Sequence, residues 1–122
     1  MFIPVDVWFR AFLLTVVVET PIAALGLRRA EPSWSRLLVL ILFANLATHP
    51  AVWFIFTQPL LLGTWSYMAV VEGWAVAAEA LFYWAAFRGL PARRAIGVSL
   101  LANAASFLVG QAIGDRWPGL FR

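Results

Sequence analysis

Along the chain, four predominantly apolar stretches, residues 8–27, 36–56, 64–87 and 92–113, alternate with short polar breaks. Each stretch has the roughly 20 residues that a helix needs to cross a hydrocarbon layer. The breaks carry turn chemistry: Arg28, Arg29, Glu31, Pro32 and Ser33 in the first, Gln58, Pro59 and Gly63 in the second, Arg88, Gly89 and Pro91 in the third. Connections this short turn consecutive helices antiparallel. The pattern therefore predicts an all-α fold of one domain, residues 1–122: an integral membrane four-helix bundle with up-down topology.

Composition narrows the solvent to lipid. Of 122 residues, 63% are hydrophobic and 12% charged, whereas soluble domains run at about 45–50% apolar and about 25% charged. The nine basic residues are all arginine, and with six acids they leave a formal charge of +3. These arginines sit between apolar blocks rather than in one patch, so they read as a topology signal and not as a nucleic-acid surface. The partner they imply is the bilayer. The first apolar run follows no basic segment and leads to no small-residue cleavage site, so it is expected to stay as structure. With no cysteine, disulfides, thiolate metal sites and thiol catalysis are excluded.

Orientation follows from where the arginines fall. The first and third connections hold Arg28, Arg29, Arg36, Arg88, Arg93 and Arg94, against Arg10, Arg116 and Arg122 near the termini. The bias predicts a multi-pass protein of the bacterial plasma (inner) membrane, with connections one and three cytoplasmic and both termini outside. Six tryptophans, Trp8, Trp34, Trp53, Trp65, Trp84 and Trp117, fall near the expected span ends, as an interfacial aromatic belt requires; Trp74 lies inside the third span.

Polar residues within the spans repeat. Glu19 lies nine residues before Arg28 and Asn45 nine after Arg36; Glu79 lies nine before Arg88 and Asn103 nine after Arg94. A 1.5 Å rise per residue puts all four about 13–14 Å from the arginine boundary. Asn45-x-x-Thr48 recurs as Asn103-x-x-Ser106. Uniform helix length accounts for common depth but not for the same residue types in the same order. The expectation is two pseudo-repeated helical hairpins related by an axis along the membrane normal. His49 and Glu72 have no counterpart in the other half, where Phe107 and Phe12 stand.

Ionisable side chains are costly in a bilayer, about 2.5–3.5 kcal/mol on insertion scales, so these groups must face inward, pair, bind a cation or be neutral. Seven residues separate Glu72 from Glu79, and four separate Asn45 from His49 and Thr15 from Glu19; each pair shares a helix face. Two polar levels result. The inner holds Glu19, Asn45, Glu79 and Asn103; the outer holds Thr15, Thr48, His49, Glu72 and Ser106. Glu19, Glu79, His49 and Glu72 are the candidate proton- or ion-binding groups, with Asn45, Asn103, Thr48, Ser106 and Thr15 in support. The same four, hard oxygens with one imidazole, are the candidate ligands of a divalent cation such as manganese, iron or zinc. Carbonyls of Val17 and Leu46, freed by Pro21 and Pro50, are further candidate ligands. Ala102, Ser106, Gly110 and Gly114 form a small-residue packing face.

Hydrolase, zinc-protease and phosphate-loop motifs are absent, and one histidine supplies neither bis-histidine haem ligation nor a pair of Glu-x-x-His motifs. In size and span number the chain resembles the small multidrug exporters, which also carry a first-helix glutamate, and the small fluoride channels. The internal repeat and the charge bias depart from a dual-topology exporter, and no family is assigned. The expectation is proton- or metal-cation-coupled transport or cation binding, with a homodimer supplying a wider path. The alternatives are a structural or assembly subunit of a larger membrane complex, in which asparagines serve as interhelical glue, and an intramembrane enzyme or binder of a lipid-soluble substrate.

Overall fold

The computed structural model describes residues 5–56 and 64–121, and among them forms four helices: α1 (Val5–Leu27), α2 (Trp34–Phe54), α3 (Thr64–Ala86) and α4 (Ala92–Arg116). Their ends fall within three residues of the apolar stretches. The expected second connection, with Gln58, Pro59 and Gly63, lies outside the described residues, as does Arg122. Three of the helices, α1, α2 and α4, are long and apolar enough to cross a membrane. Helix α3 falls short because Glu72, Glu79, Ser66, Tyr67 and three tryptophans dilute its apolar content.

Burial follows the 3.6-residue period on each helix. In α2 the buried side chains are Leu37, Ile41, Ala44, Asn45, Thr48 and His49, and in α4 they are Ala95, Val98, Ser99, Ala102 and Asn103. Large apolar side chains cover the other faces, Val17, Leu25, Phe43, Leu81 and Leu101 among them. Soluble monomers rarely show apolar surface on this scale; it marks a membrane-embedded protein.

Each helix packs on two others. Helix α1 touches α2 and α4, and α3 touches α2 and α4, which gives the cyclic order α1–α2–α3–α4. The dry core lies toward the connections rich in arginine. There Leu27, Leu37, Ile41, Phe87, Leu90 and Ala95 join Tyr83 and Val98 in one cluster. Gly26 sets the spacing: a Cβ at that position would stand 2.5 Å from Val98 Cγ2, so only glycine lets α1 and α4 approach so closely. Arg94 Nε then donates to the Gly26 carbonyl at 2.9 Å, placing a cation against an unpaired carbonyl at the α1 C-terminus.

Both connections there stop a helix and start the next by local chemistry. Ser33 caps α2 by accepting from the Arg36 amide, and Arg28 donates to the Glu31 and Pro32 carbonyls while lying 4.2 Å over the Trp34 ring. Gly89, at φ 73°, supplies the left-handed residue after α3, and Pro91 opens α4.

Candidate functional site

Above the dry core the interior changes character. A cavity of about 720 Å³ begins at Glu19, Glu79 and Asn103 and runs to Trp53, Tyr67, Gln111 and Phe121 at the far ends of the helices. All four helices contribute to it. Eight of the nine sequence-predicted site residues line it: Glu19, Glu79, His49, Glu72, Asn103, Thr48, Ser106 and Thr15. Asn45 does not.

The floor is built around two carboxyls, each only 1% exposed. Glu79 on α3 accepts from Thr48 Oγ1 of α2 at Oε1 (2.9 Å) and from Asn103 Nδ2 of α4 at Oε2 (2.8 Å). Glu19 on α1 accepts from Ser106 Oγ of α4 at Oε1 (2.5 Å), while its Oε2 has no partner. Glu19, Glu79 and Glu72 all face the same cavity. Glu72 is half-buried at mid-height in the cavity wall.

Both hydroxyls have a second acceptor. Thr48 Oγ1 stands 3.1 Å from the Ala44 carbonyl, and Ser106 Oγ 3.1 Å from the Asn103 carbonyl. A hydroxyl has one hydrogen to give. With the carboxylate ionised, the hydroxyl donates to it. With the carboxyl protonated, the acid can donate to the hydroxyl oxygen, which turns its own hydrogen to the backbone. Glu79 and Glu19 are thus each held by a group that can satisfy both protonation states without moving a helix.

The two asparagines differ. Both donate to the carbonyl four residues earlier, Asn45 to Ile41 at 3.1 Å and Asn103 to Ser99 at 2.9 Å. Asn103 spends its second hydrogen on Glu79, whereas Asn45 makes no bond to Glu19 and leaves its Oδ1 without a partner. Asn45 is fully buried beside the cavity rather than in its lining.

His49 sits among rings. Its centroid is 5.4 Å from Phe12, edge to face, and 6.1 Å from Trp53, stacked, with Trp8 at 6.3 Å. Its Nδ1 has no partner. Glu19, Glu79, His49 and Glu72 all line the one cavity but are spread along it. Among the described residues no three of His, Asp and Glu come together to hold a metal ion, because Glu72 stands about two turns above Glu79 and His49 is held by its aromatic neighbours. Nor do the proline-freed carbonyls join it: Val17 and Leu46 turn outward and neither lines the cavity. The small-residue face on α4 divides in two. Ala102 is fully buried and Ser106 bonds to Glu19, but an added Cβ at Gly110 would meet only Leu14, at 3.8 Å.

Two polar residues of the interior escaped the sequence reading. Ser99 Oγ donates to the Val76 carbonyl at 2.8 Å, tying α4 to α3. Tyr83 is fully buried and its hydroxyl is unpartnered. Their spacing was the available signal, since each lies four residues from a predicted site residue and so on the same face. Comparison with protein-family models, curated proteins and solved structures finds no match to this chain.

Proposed function

We propose that the chain is a proton-coupled transport protein in which Glu19 and Glu79 exchange protons at the floor of the cavity. The observation that carries this is the pair of buried carboxyls, each held by a hydroxyl with an alternative backbone acceptor. Back-bonding of Ser and Thr to a carbonyl three or four residues earlier is common in helices; what supports the reading is that here it falls beside buried carboxyls at the floor of a cavity. The proton is the coupling ion of choice because the carboxyls and His49 do not assemble a metal ligand set.

The wider reading is an up-down bundle with α3 as a fourth span and two hairpins duplicated from one. Support for the duplication comes from the crosswise bonding: the hydroxyl of each Asn-x-x-Thr/Ser motif reaches the glutamate of the opposite hairpin. Helix α3 is tolerated in a bilayer because its acids turn toward the cavity. With connections one and three in the cytoplasm of a bacterial cell, the cavity faces outward and the dry core seals the inner side.

The test is proton flux. Protein reconstituted in liposomes loaded with a pH-sensitive dye is driven by a potassium diffusion potential. The expected result is flux above empty liposomes, falling to the empty level in the Glu19→Gln, Glu79→Gln double variant with helical content and elution volume unchanged. Equal flux from the double variant and the parent would refute the reading.

A further inference from the structure

A second concavity, of about 390 Å³, lies between α3 and α4. Small side chains make it: Ala69, Gly73 and Ala104 leave room between Trp65 and Leu100. Its rim faces outward, with Trp65 81% and Leu100 55% exposed, so in a bilayer it meets acyl chains. The groove surface continues along α4 toward the arginine-rich end. Arg93, Gly97, Leu100 and Ala104 follow at steps of four, three and four, all exposed and on one face of the helix. A Cβ at Gly97 would meet nothing within 4 Å. Arg88 lies in the connection that joins these two helices, and Arg93 in the first turn of α4.

Charge tells what fits at that end. Arg88 and Arg93 are both exposed, and among the described residues neither side chain takes part in a hydrogen bond or ion pair. Their neighbours are engaged: Arg28 with carbonyls and the Trp34 ring, Arg36 with Glu31 at 3.2 Å, Arg94 with the Gly26 carbonyl. Glu31 is the one acid in the two connections of this end, so none there is left for Arg88 and Arg93. Two guanidinium groups at a membrane surface match the oxygens of a phosphate. The length matches too. Arg93 and Ala104 are eleven residues apart, about 16–17 Å of helix, against about 15 Å for half the hydrocarbon core. A lipid with its phosphate at the arginines brings its chain end to the concavity.

From these we infer that the α3–α4 groove seats one anionic phospholipid, its phosphate held by Arg88 and Arg93 and one acyl chain laid along Gly97 into the concavity at Gly73 and Ala104. The chain covers the groove side of Met68, Glu72, Asn103 and Phe107, which line both spaces, and so completes the cavity wall on its lipid side. A zwitterionic lipid of the same shape fills the groove but leaves the two arginine charges unbalanced. A second copy docked here in the same orientation would bring four arginines together, which disfavours it. The seat rests on the membrane-embedded fold and not on transport, so flux in the Glu19, Glu79 double variant has no bearing on it.

Native mass spectrometry tests the inference on protein released from nanodiscs of equal phosphatidylglycerol and phosphatidylcholine with matched chains. The expected result is one retained phosphatidylglycerol, in about tenfold excess or more over phosphatidylcholine. In the Arg88→Gln, Arg93→Gln double variant that excess should fall about tenfold, as for two arginines lost from an anionic surface. The Arg10→Gln, Arg116→Gln pair removes the same charge from the other end and should leave the excess unchanged. Gly73→Phe should lower retention with both arginines in place. A Cβ there meets nothing within 4 Å, so the ring fills the groove rather than packed protein. Equal retention of the two lipids, or no change in the Arg88, Arg93 variant or in Gly73→Phe, would overturn the inference. So would an equal fall in the Arg10, Arg116 pair, which would reduce the effect to net charge. Displacement by excess glycerol 3-phosphate would make the arginines a site for free phosphate. Disulfide-linked dimers of Gly73→Cys in the membrane would make the groove a seam between two copies; either result refutes a lipid seat.

Discussion

Replacing Asn103 with alanine should weaken the fold far more than replacing Asn45, although the sequence presents the two as equivalents. Asn103 Nδ2 stands 2.8 Å from Oε2 of Glu79, a carboxyl 1% exposed. A bond of this kind is worth about 1.5–3 kcal/mol when the carboxyl is ionised and about 0.6–1.7 kcal/mol when it is neutral, the range found for interhelical pairs in membranes. Asn45 donates only to a carbonyl of its own helix and leaves Oδ1 unpaired, so its truncation removes no interhelical bond. Volume loss burdens both variants alike and cancels in a double-mutant cycle. The Asn103→Ala, Glu79→Leu cycle should give a coupling of about 1–3 kcal/mol, and the Asn45→Ala, Glu19→Leu cycle less than about 0.5 kcal/mol. Reversible unfolding in mixed detergent micelles, followed by circular dichroism, measures both. Equal couplings, or none for the Asn103 cycle, would show that the floor of the cavity is not built as described.

Further outcomes follow from single contacts. Gly26→Ala should destabilise by about 1–3 kcal/mol through overpacking on Val98, with Val98→Ala restoring part of the loss, whereas Gly110→Ala should change stability by less than about 0.5 kcal/mol; detergent unfolding compares them. His49→Phe should fold within about 1 kcal/mol of the parent, because Phe12, Trp8 and Trp53 accept another ring; a large loss of thermal stability would point to an essential imidazole contact. Ser106→Ala should slow proton flux in liposomes about tenfold and more than Thr48→Val does, since Glu19 has no other hydrogen-bond partner; the reverse order would contradict the assignment of Glu19 as the freer exchange group.

How much of this was legible depends on what periodicity encodes. Helix number and ends were, because apolar runs and turn residues are local signals. So was the inward turn of Glu19, Glu79 and Asn103, because ionisable and amide groups at mid-helix among apolar residues have few tolerable environments. Helix α3 was read as a fourth span like the others, yet the acids that line the cavity help keep it below the apolar content of the three helices long and apolar enough to cross a membrane. Partner choice was not legible. Asn45 and Asn103 share depth, neighbours and motif, yet only one reaches a carboxyl; that difference is set by the azimuth of packing between helices, which no spacing records. Height along a shared face is likewise lost on a helix wheel. Helix-wheel agreement puts Glu72 and Glu79 on one face but leaves them about 10 Å apart along it, too far for one ion. Tyr83 went unread because a tyrosine in an apolar run looks like packing until its hydroxyl is found without a partner.

The unequal satisfaction of the two carboxyls bears on which way a proton moves. Glu79 has both oxygens bonded, one to each neighbouring helix, and so ties α2, α3 and α4 together. Glu19 has one oxygen bonded and one free. A ligand that pairs with Glu19 displaces no protein bond, whereas one that pairs with Glu79 must first break a bond to Thr48 or Asn103. Both crosswise bonds, Thr48 to Glu79 and Ser106 to Glu19, span the division between the first and second helix pairs. At the arginine-rich end the same division is closed by Gly26 against Val98 and by Arg94 on the Gly26 carbonyl. The seam is therefore apolar and tight at one end and hydrogen-bonded at its middle, where, on the proposed reading, protonation would reverse the direction of each bond. On the proposed transport reading, if the helix pairs rock about that seam, the carboxyl–hydroxyl bonds are where the proton and the movement are coupled, and Glu19, the less committed of the two acids, is where the exchange begins.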